Sequence, residues 1–134
     1  MIYILDASAI IAYLRGEPGA DAVSAILIDP SHVCLAHALN LCEVYYDFYR
    51  SNGETAARDA VRDVLALGVQ LRSDLSIDFW QMAGALKATV RRISLADCFA
   101  VALAQATGGS VLTSDHHEFD PLAEVGVCSV TFIR

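Results

Sequence analysis

The chain has 134 residues, which suits one domain, and no Pro-, Gly- or Ser-rich linker divides it, so we expect a single domain over 1–134. Hydrophobic residues make up 55% of it, yet no apolar run approaches the roughly 18 residues of a membrane-spanning helix. The net charge of −7 argues against a basic nucleic-acid-binding module, because phosphate contacts need Lys and Arg.

The first half of the chain alternates between strands and helices. A continuous apolar run predicts a strand over Ile2–Leu5, buried on both faces as in parallel sheets. The run lacks the basic start of a signal peptide, so we expect a cytoplasmic protein without a membrane segment. The following predicted elements are helices over Ser8–Arg15 and from Pro18 through Ile28, a strand over Val33–Leu35, and helices over Ala38–Arg50 and Glu54–Leu67.

The second half continues the alternation. The predicted strands are Val69–Leu71, Ser110–Thr113 and Cys128–Ile133, and the predicted helices are Ile77–Ala88, Ser94–Thr107 and a short piece at Pro121–Val125. Strands that alternate with helices predict an α/β domain with a mainly parallel sheet. The four cysteines show no metal-binding spacing, and we expect them to be reduced and buried.

Four acidic residues lie close to the predicted strand ends, where open α/β sheets bind ligands. Asp6 directly follows the first strand and Asp115 comes just after Ser110–Thr113, while Asp97 and Glu43 lie on helices. Each also has an ordinary structural explanation: a helix cap for Asp6, a capping box for Asp97, a solvent-facing stripe for Glu43 and a turn for Asp115. Taken singly, the four residues leave both interpretations open.

Five short stretches occur in a characteristic order and span most of the chain. They are Ile4–Ile10, Arg15–Gly19, Asn40–Val44, Ser94–Ala104 and Val111–Asp115. Each pattern is loose, but the ordered set is specific, and it resembles the PIN domain family and, within it, the VapC-type toxins of toxin–antitoxin operons. The resemblance implies a PIN-like three-layer α/β/α domain with a mainly parallel central sheet of four or five strands.

The resemblance also implies a metal-dependent endoribonuclease with Asp6, Glu43, Asp97 and Asp115 as its catalytic residues. Several carboxylates in one pocket repel each other, and Mg²⁺ or Mn²⁺ with oxygen ligands removes that cost. A metal-activated water then hydrolyses the RNA phosphodiester bond. In this interpretation Asp6, Asp97 and Asp115 are metal ligands, and Glu43 acts through a water molecule.

Several residues near these acids are assigned lesser roles. Ser8, Thr113 and Ser114 are expected to support the site, although Ser8 is equally suited to cap a helix. Glu118 is a fifth acid, close enough to Asp115 to support the site from behind its ligands, but the favoured interpretation is that it faces solvent. The adjacent histidines His116–His117 lack a third ligand in view, which disfavours a metal site there.

Four cations are candidates for contact with RNA phosphates, and these are Arg15, Lys87, Arg91 and Arg92. A solvated helix end is the alternative for the last three. The aromatic residues of the helix over Ala38–Arg50 are interpreted as core or dimer surface rather than as a base-stacking surface; they are Tyr45, Tyr46, Phe48 and Tyr49.

The resemblance further implies a homodimer and a cognate VapB-type antitoxin. The candidate antitoxin surface comprises Ser8–Leu14, Ala20–Ile28 and Leu39–Tyr49. The alternative function is a catalytically idle PIN domain that acts as a protein-binding or assembly module. A receiver domain and a haloacid dehalogenase-type phosphatase are disfavoured, because the chain lacks an adjacent Asp pair, any Lys after Lys87, and an Asp at the position of Ser8.

Overall fold

The computed structural model describes residues 1–90 and 92–134. Five strands lie within these residues: β1 (Ile2–Leu5), β2 (Val33–His37), β3 (Gln70–Arg72), β4 (Ser110–Thr113) and β5 (Ser129–Phe132). The helices are α1 (Ala7–Arg15), α2 (Ala20–Ile28), α3 (Ala38–Asn52), α4 (Glu54–Ala66), α5 (Ile77–Thr89), α6 (Leu95–Thr107) and α7 (His116–Glu124). None of these helices is long and apolar enough to cross a membrane.

The strands form one sheet in the order β3-β2-β1-β4-β5, and every pair in it is parallel. Side chains alternate between its two faces, as the two-residue repeat of a strand requires. Ile4 and Val111 pack into one core with α5, α6 and α7, whereas Leu5 and Leu112 pack into a second core with α1 to α4. Two helical layers therefore enclose the sheet, which confirms the predicted three-layer α/β/α domain.

The order of the strands creates a topological switch point beside the central strand. From β1 the chain runs outward through β2 to β3, and β4 then returns to the other side of β1. The loops that leave β1 and β4 consequently diverge to opposite helical layers. Such a switch point opens a crevice at the carboxyl ends of the two strands, which is the usual ligand site of open α/β sheets.

Two helix starts differ from the prediction by more than one residue. The second helix begins at Ala20 rather than at Pro18, because Gly19 precedes it in a left-handed conformation with φ of 98°. A Cβ at Gly19 would also lie 2.7 Å from the side chain of Ile133. The last helix begins at His116, five residues before the predicted Pro121, because the side chain of Asp115 caps it.

The cysteines are all free, as expected, but they are not all buried. Cys34 and Cys98 are buried in the two cores, Cys128 is half-buried, and Cys42 is exposed on α3.

Candidate active site

The candidate site lies at the carboxyl ends of β1 and β4. Asp6 follows β1 directly and is the N-cap of α1, with 1% of the residue exposed. Asp115 comes two residues after β4 and is the N-cap of α7. The two acids flank the topological switch point, so the predicted position at the strand ends agrees with the structure.

Hydroxyl groups orient the Asp6 carboxylate. Ser8 Oγ donates a hydrogen bond to Oδ1 over 2.7 Å, and Thr113 Oγ1 donates one to Oδ2 over 2.5 Å. The backbone N–H of Ala9 also donates to Oδ1, over 2.9 Å. Since a carboxylate offers about four lone-pair positions, three donors fix its orientation and leave one position for a further ligand.

The same hydroxyls tie the loop after β4 to β1. Ser8 Oγ accepts a hydrogen bond from the backbone N–H of Ser114 over 3.0 Å, and Thr113 Oγ1 accepts one from the N–H of Asp115 over 3.0 Å. Ser114 thus contributes its backbone rather than its side chain. Ser8, which the sequence left between a cap and a site residue, serves the site directly, because Asp6 is itself the helix cap.

Burial raises the pKa of Asp6 to about 6, although the hydrogen bonds from Thr113, Ala9 and Ser8 oppose the shift. Desolvation disfavours the charged form of a carboxyl group, whereas donated hydrogen bonds favour it. The negative charge of Glu43 also raises the pKa of Asp6, because Glu43 on α3 lies close enough to act on this carboxyl group.

Asp97 lies in the first turn of α6, where Ser94 is the N-cap and its Oγ accepts a hydrogen bond from the Asp97 backbone N–H over 3.2 Å. The predicted capping box therefore forms only in part, because the Asp97 side chain turns inward and the residue is 8% exposed. Burial, together with Glu118, Asp6 and Glu43, raises the pKa of Asp97 to about 10. Without a cation, this carboxyl group holds a proton at neutral pH.

Glu118 is half-buried inside the site, so its interpretation as a solvent-facing acid was wrong. Its Oε1 accepts a hydrogen bond from the backbone N–H of Ser94 over 3.1 Å, which joins α7 to the start of α6. Its Oε2 is buried and accepts no hydrogen bond within residues 1–90 and 92–134. Carboxylate oxygens of Asp97, Asp115 and Glu118 lie within 4.8 Å of one another.

Glu43 approaches this cluster from α3. Burial raises the pKa of Glu43, and the charges of Glu118, Asp47 and Asp115 raise it further. The structure therefore brings all four predicted acids, together with Glu118, into one electrostatically coupled group.

Two buried polar residues that the sequence analysis did not single out position α3. Asn40 is fully buried and donates a hydrogen bond to the Ala96 carbonyl oxygen over 3.2 Å, which links the helices that carry Glu43 and Asp97. His37 is also fully buried, and its Nδ1 accepts a hydrogen bond from the Leu39 N–H at the start of α3. The sequence signal that could have identified Asn40 is its position as a polar side chain one helical turn before Glu43.

The described members of the predicted RNA-contacting set, Arg15, Lys87 and Arg92, are all exposed. Lys87 donates a hydrogen bond to the Ile93 carbonyl oxygen over 2.8 Å. Arg15 forms an ion pair of 3.1 Å with Asp47 and lies 4.1 Å from the ring centre of Phe48. Arg91 lies outside the described residues.

The two adjacent histidines do not join the acids as potential ligands within the described residues. His116 Nδ1 lies 2.9 Å from Asp120 Oδ1, and Nε2 lies 2.7 Å from the Arg134 carbonyl oxygen. Its ring stacks on Phe132. His116 therefore fixes α7 against the end of β5 and the residues that follow it.

The side-chain donors of the cluster are all carboxylate oxygens, the ligands that Mg²⁺ and Mn²⁺ prefer. The buried Oε2 of Glu118 has an unused acceptor position there, and Asp97 requires either a proton or a cation at neutral pH. The residues present therefore fit a hard divalent cation.

The fold is similar to several solved toxin–antitoxin structures. VapBC-1 from nontypeable Haemophilus influenzae has 18% identity and a TM-score of 0.72, over 99% of this chain and 98% of that one. DNA-bound VapBC from Salmonella typhimurium has 14% identity and a TM-score of 0.75, over 100% and 99%. The Mycobacterium tuberculosis toxin VapC20, which cleaves the sarcin–ricin loop, has 18% identity and a TM-score of 0.71, over 89% and 94%.

At these identities the likeness is one of fold. No curated protein matches the chain in a sequence comparison. The family model of the PIN domain, however, matches residues 3–125, which include all five acids of the site. The chain belongs to the PIN domain family.

Proposed function

We propose that this PIN domain is a Mg²⁺- or Mn²⁺-dependent endoribonuclease and the toxin of a type II toxin–antitoxin pair. One observation carries the proposal: carboxylate oxygens of Asp97, Asp115 and Glu118, at the starts of α6 and α7, lie within 4.8 Å of one another, and Asp6 and Glu43 lie close enough to raise the pKa of Asp97. Buried acids in such proximity destabilise a fold unless they serve a cation.

We assign the cation to Asp6, Asp97 and Asp115, and we add Glu118 to this set. The buried Oε2 of Glu118 supports the addition, because it has no donor among the described residues while the acids are ionised. A protonated Asp97 would be hydrogen-bonded to Glu118, and a cation would replace that proton. Ser8 and Thr113 support the site by holding the Asp6 carboxylate in one orientation.

The bound cation supplies positive charge that activates water and offsets the charge on the phosphate oxygens in the transition state. Thr113 and Ser8 keep Asp6 ionised and directed at the site, because their hydrogen bonds favour its charged form. Glu43, which reaches the cluster from α3 and has a raised pKa, is suited to orient the attacking water and accept its proton.

RNA is the substrate in this proposal, and exposed Arg92 is the described cation best placed to meet its phosphates. Arg15, Lys87 and Arg91 complete the proposed phosphate-contacting set. Arg15 must first exchange its ion pair with Asp47 for a phosphate, which makes it the weaker contact.

The similarity in fold to solved toxin–antitoxin complexes supports the proposed partners. A VapB-type antitoxin is proposed to cover α1 and α2, where Ile28 is 77% exposed. We assign a homodimer interface to the exposed apolar residues around β3 and the starts of α5 and α6. These are Leu71, Leu75, Ile77, Trp80 and Leu95. We propose that the protein acts in the cytoplasm, where it meets its RNA substrate.

The test is RNA cleavage by the purified protein with Mn²⁺ or Mg²⁺, and then with EDTA. We expect cleavage that needs the cation and falls by about a hundredfold or more in Asp97→Asn. Glu124→Gln, which changes an exposed acid at the far end of α7, serves as the control and should keep full activity. Cleavage that persists under chelation or in Asp97→Asn would reject the metal mechanism. Tight binding of a partner protein without RNA cleavage would favour the idle binding module.

A further inference from the structure

The outer face of α3 carries two exposed aromatic rings. Tyr46 and Tyr49 are 50% and 49% exposed, whereas Tyr45 and Phe48 are half-buried. Tyr46 and Tyr49 are therefore not core residues, so of the two predicted roles, core or dimer surface, the first does not apply to them. An exposed ring next to a proposed nuclease site is a candidate contact for a base.

Tyr46 lies beside the acidic site, and Tyr49 does not. Tyr46 comes three residues after Glu43, so the two residues share one side of α3. Side chains on a helix lean towards its N-terminus, and the N-terminus of α3 is at the carboxyl end of the sheet, where the acids lie. Burial and then the charge of Glu43 raise the pKa of Tyr46, in agreement with this proximity.

A guanidinium group lies beside the Tyr46 ring. The guanidinium carbon of Arg50 lies 5.7 Å from its centre, and Arg50 also forms an ion pair of 2.9 Å with Asp47. Asp47 holds Arg15 as well, over 3.1 Å. With Glu43 included, two guanidinium groups and two carboxylates surround the ring, so its surroundings are close to neutral on a chain whose net charge is −7.

These features favour RNA over a protein partner. The exposed aliphatic side chains that suit protein contacts lie on other elements, such as Ile28 on α2 and Ile77 on α5. Within the described part of α3, the large exposed apolar side chains are tyrosines. Contacts with phosphates contribute little to RNA binding by an acidic protein, because they depend on positive charge. Base stacking supplies binding energy that does not depend on the charge of the protein.

We propose that Tyr46, with Arg50 over its ring, stacks on an unpaired base of the RNA next to the scissile phosphate. This inference rests on the proposed ribonuclease function and deepens it. Only an unstacked base can reach such a ring, because bases inside a duplex are stacked on their neighbours. Arg50 adds a cation–π contact and a phosphate partner.

The test measures RNA affinity separately from cleavage. Fluorescence anisotropy follows a labelled, unstructured RNA of about 12 nucleotides in an Asp97→Asn background, which keeps the RNA intact. We expect Tyr46→Ala to raise Kd about tenfold and Tyr46→Trp to restore it. Tyr49→Ala is the matched control, since Tyr49 is equally exposed on the same helix and contacts Tyr45 instead, and it should leave Kd unchanged. In the otherwise native chain, Tyr46→Ala should raise KM far more than it lowers kcat.

Sedimentation of each variant distinguishes the other occupants of this face. A Tyr46→Ala protein with unchanged Kd, or with weaker binding only because its oligomer dissociates, would overturn the inference and assign the ring to a protein contact. If the native chain binds RNA without cutting it, the ribonuclease proposal fails while the anisotropy comparison still decides the role of Tyr46. If it neither binds nor cuts RNA, both proposals fail.

Discussion

Thr113, the last residue of β4, donates its hydroxyl proton to Oδ2 of Asp6, the residue that follows β1. The two residues are 107 positions apart in the chain, and their hydrogen bond joins the two strands that border the switch point. The acid that we assign to the cation is thus oriented by a neighbouring strand rather than by its own helix alone.

This relationship predicts the effect of Thr113→Val, which keeps the shape of the side chain and removes its hydroxyl. Oδ2 of Asp6 loses its donor, so we expect the pKa of Asp6 to rise and RNA cleavage at pH 7 to fall about tenfold. The rate should recover towards higher pH. Thr131→Val removes a hydroxyl that contacts Ser110 on the neighbouring strand pair and should keep native activity. Equal losses in the two variants would assign the effect to general destabilisation.

Asp97→Asn should stabilise the metal-free protein in a pH-dependent manner. Burial raises the pKa of Asp97 to about 10, against about 4 in an unfolded chain. Between these values the folded chain holds a proton that the unfolded chain has lost, so the free energy of unfolding falls as the pH rises. The Asp97→Asn variant does not lose stability in this way. Its thermal unfolding in EDTA at pH 8 should therefore give a Tm about 4 °C above that of the native chain. The difference should shrink towards pH 4, and a constant difference would contradict the assigned cause.

Binding of Mg²⁺ or Mn²⁺ should release a proton. Since Asp97 is protonated at neutral pH without a cation, the ion must displace that proton, and its affinity should increase with pH. Calorimetry at pH 7 in buffers of different ionisation enthalpy should show release of about one proton per site. Binding without proton release would contradict a buried, neutral Asp97.

Glu118→Gln tests the ligand that the sequence analysis undervalued. The amide oxygen of Gln can still accept the hydrogen bond from the Ser94 N–H, so the fold should persist, while the loss of one charge should weaken Mn²⁺ binding about tenfold or more. Free Mn²⁺ gives an EPR signal that is lost on binding, so a titration followed by EPR measures the change in Mn²⁺ affinity. Glu124→Gln on the same helix is the control, and identical affinities in both variants would remove Glu118 from the ligand set.

The proposed dimer surface predicts that Ile77→Glu yields a monomer. Ile77 is 64% exposed at the start of α5, and a buried carboxylate in its place would oppose association. Analytical ultracentrifugation should report a halved mass. Ile28→Glu changes an equally aliphatic residue, 77% exposed on α2, and should leave the mass unchanged. A dimer that survives Ile77→Glu would place the interface elsewhere.

The sequence predicted the elements well where local signals were strong. Ser110–Thr113 has the same bounds in the structure, and the buried strand Ile2–Leu5 was anticipated from its continuous apolar run. The order of the strands was not predictable, since hydrophobic patterning records burial and not which strands are neighbours. The start of α7 was missed because Asp115 was interpreted as a turn, although it caps a helix whose Pro121 lies in its interior.

The same error hid Glu118. Once α7 is known to begin at His116, Glu118 lies in its first turn, facing the start of α6. Its partner Ser94 is 24 residues away, and no local pattern indicates such a contact. Asp6 and Asp97 were found because each lies in a stretch that the resemblance covers, whereas the orientation of Asp6 by Thr113 required the packed sheet.

The long separation between Asp6 and Thr113 has a consequence for synthesis of the protein. On the ribosome Asp6 is made 107 residues before Thr113, so the proposed cleavage centre stays unformed until β4 and the start of α7 have emerged and docked beside β1. The proposed ribonuclease is therefore inert while this part of its chain is being translated. That delay gives the proposed antitoxin, which is made as a separate chain, time to be present before the toxin has folded.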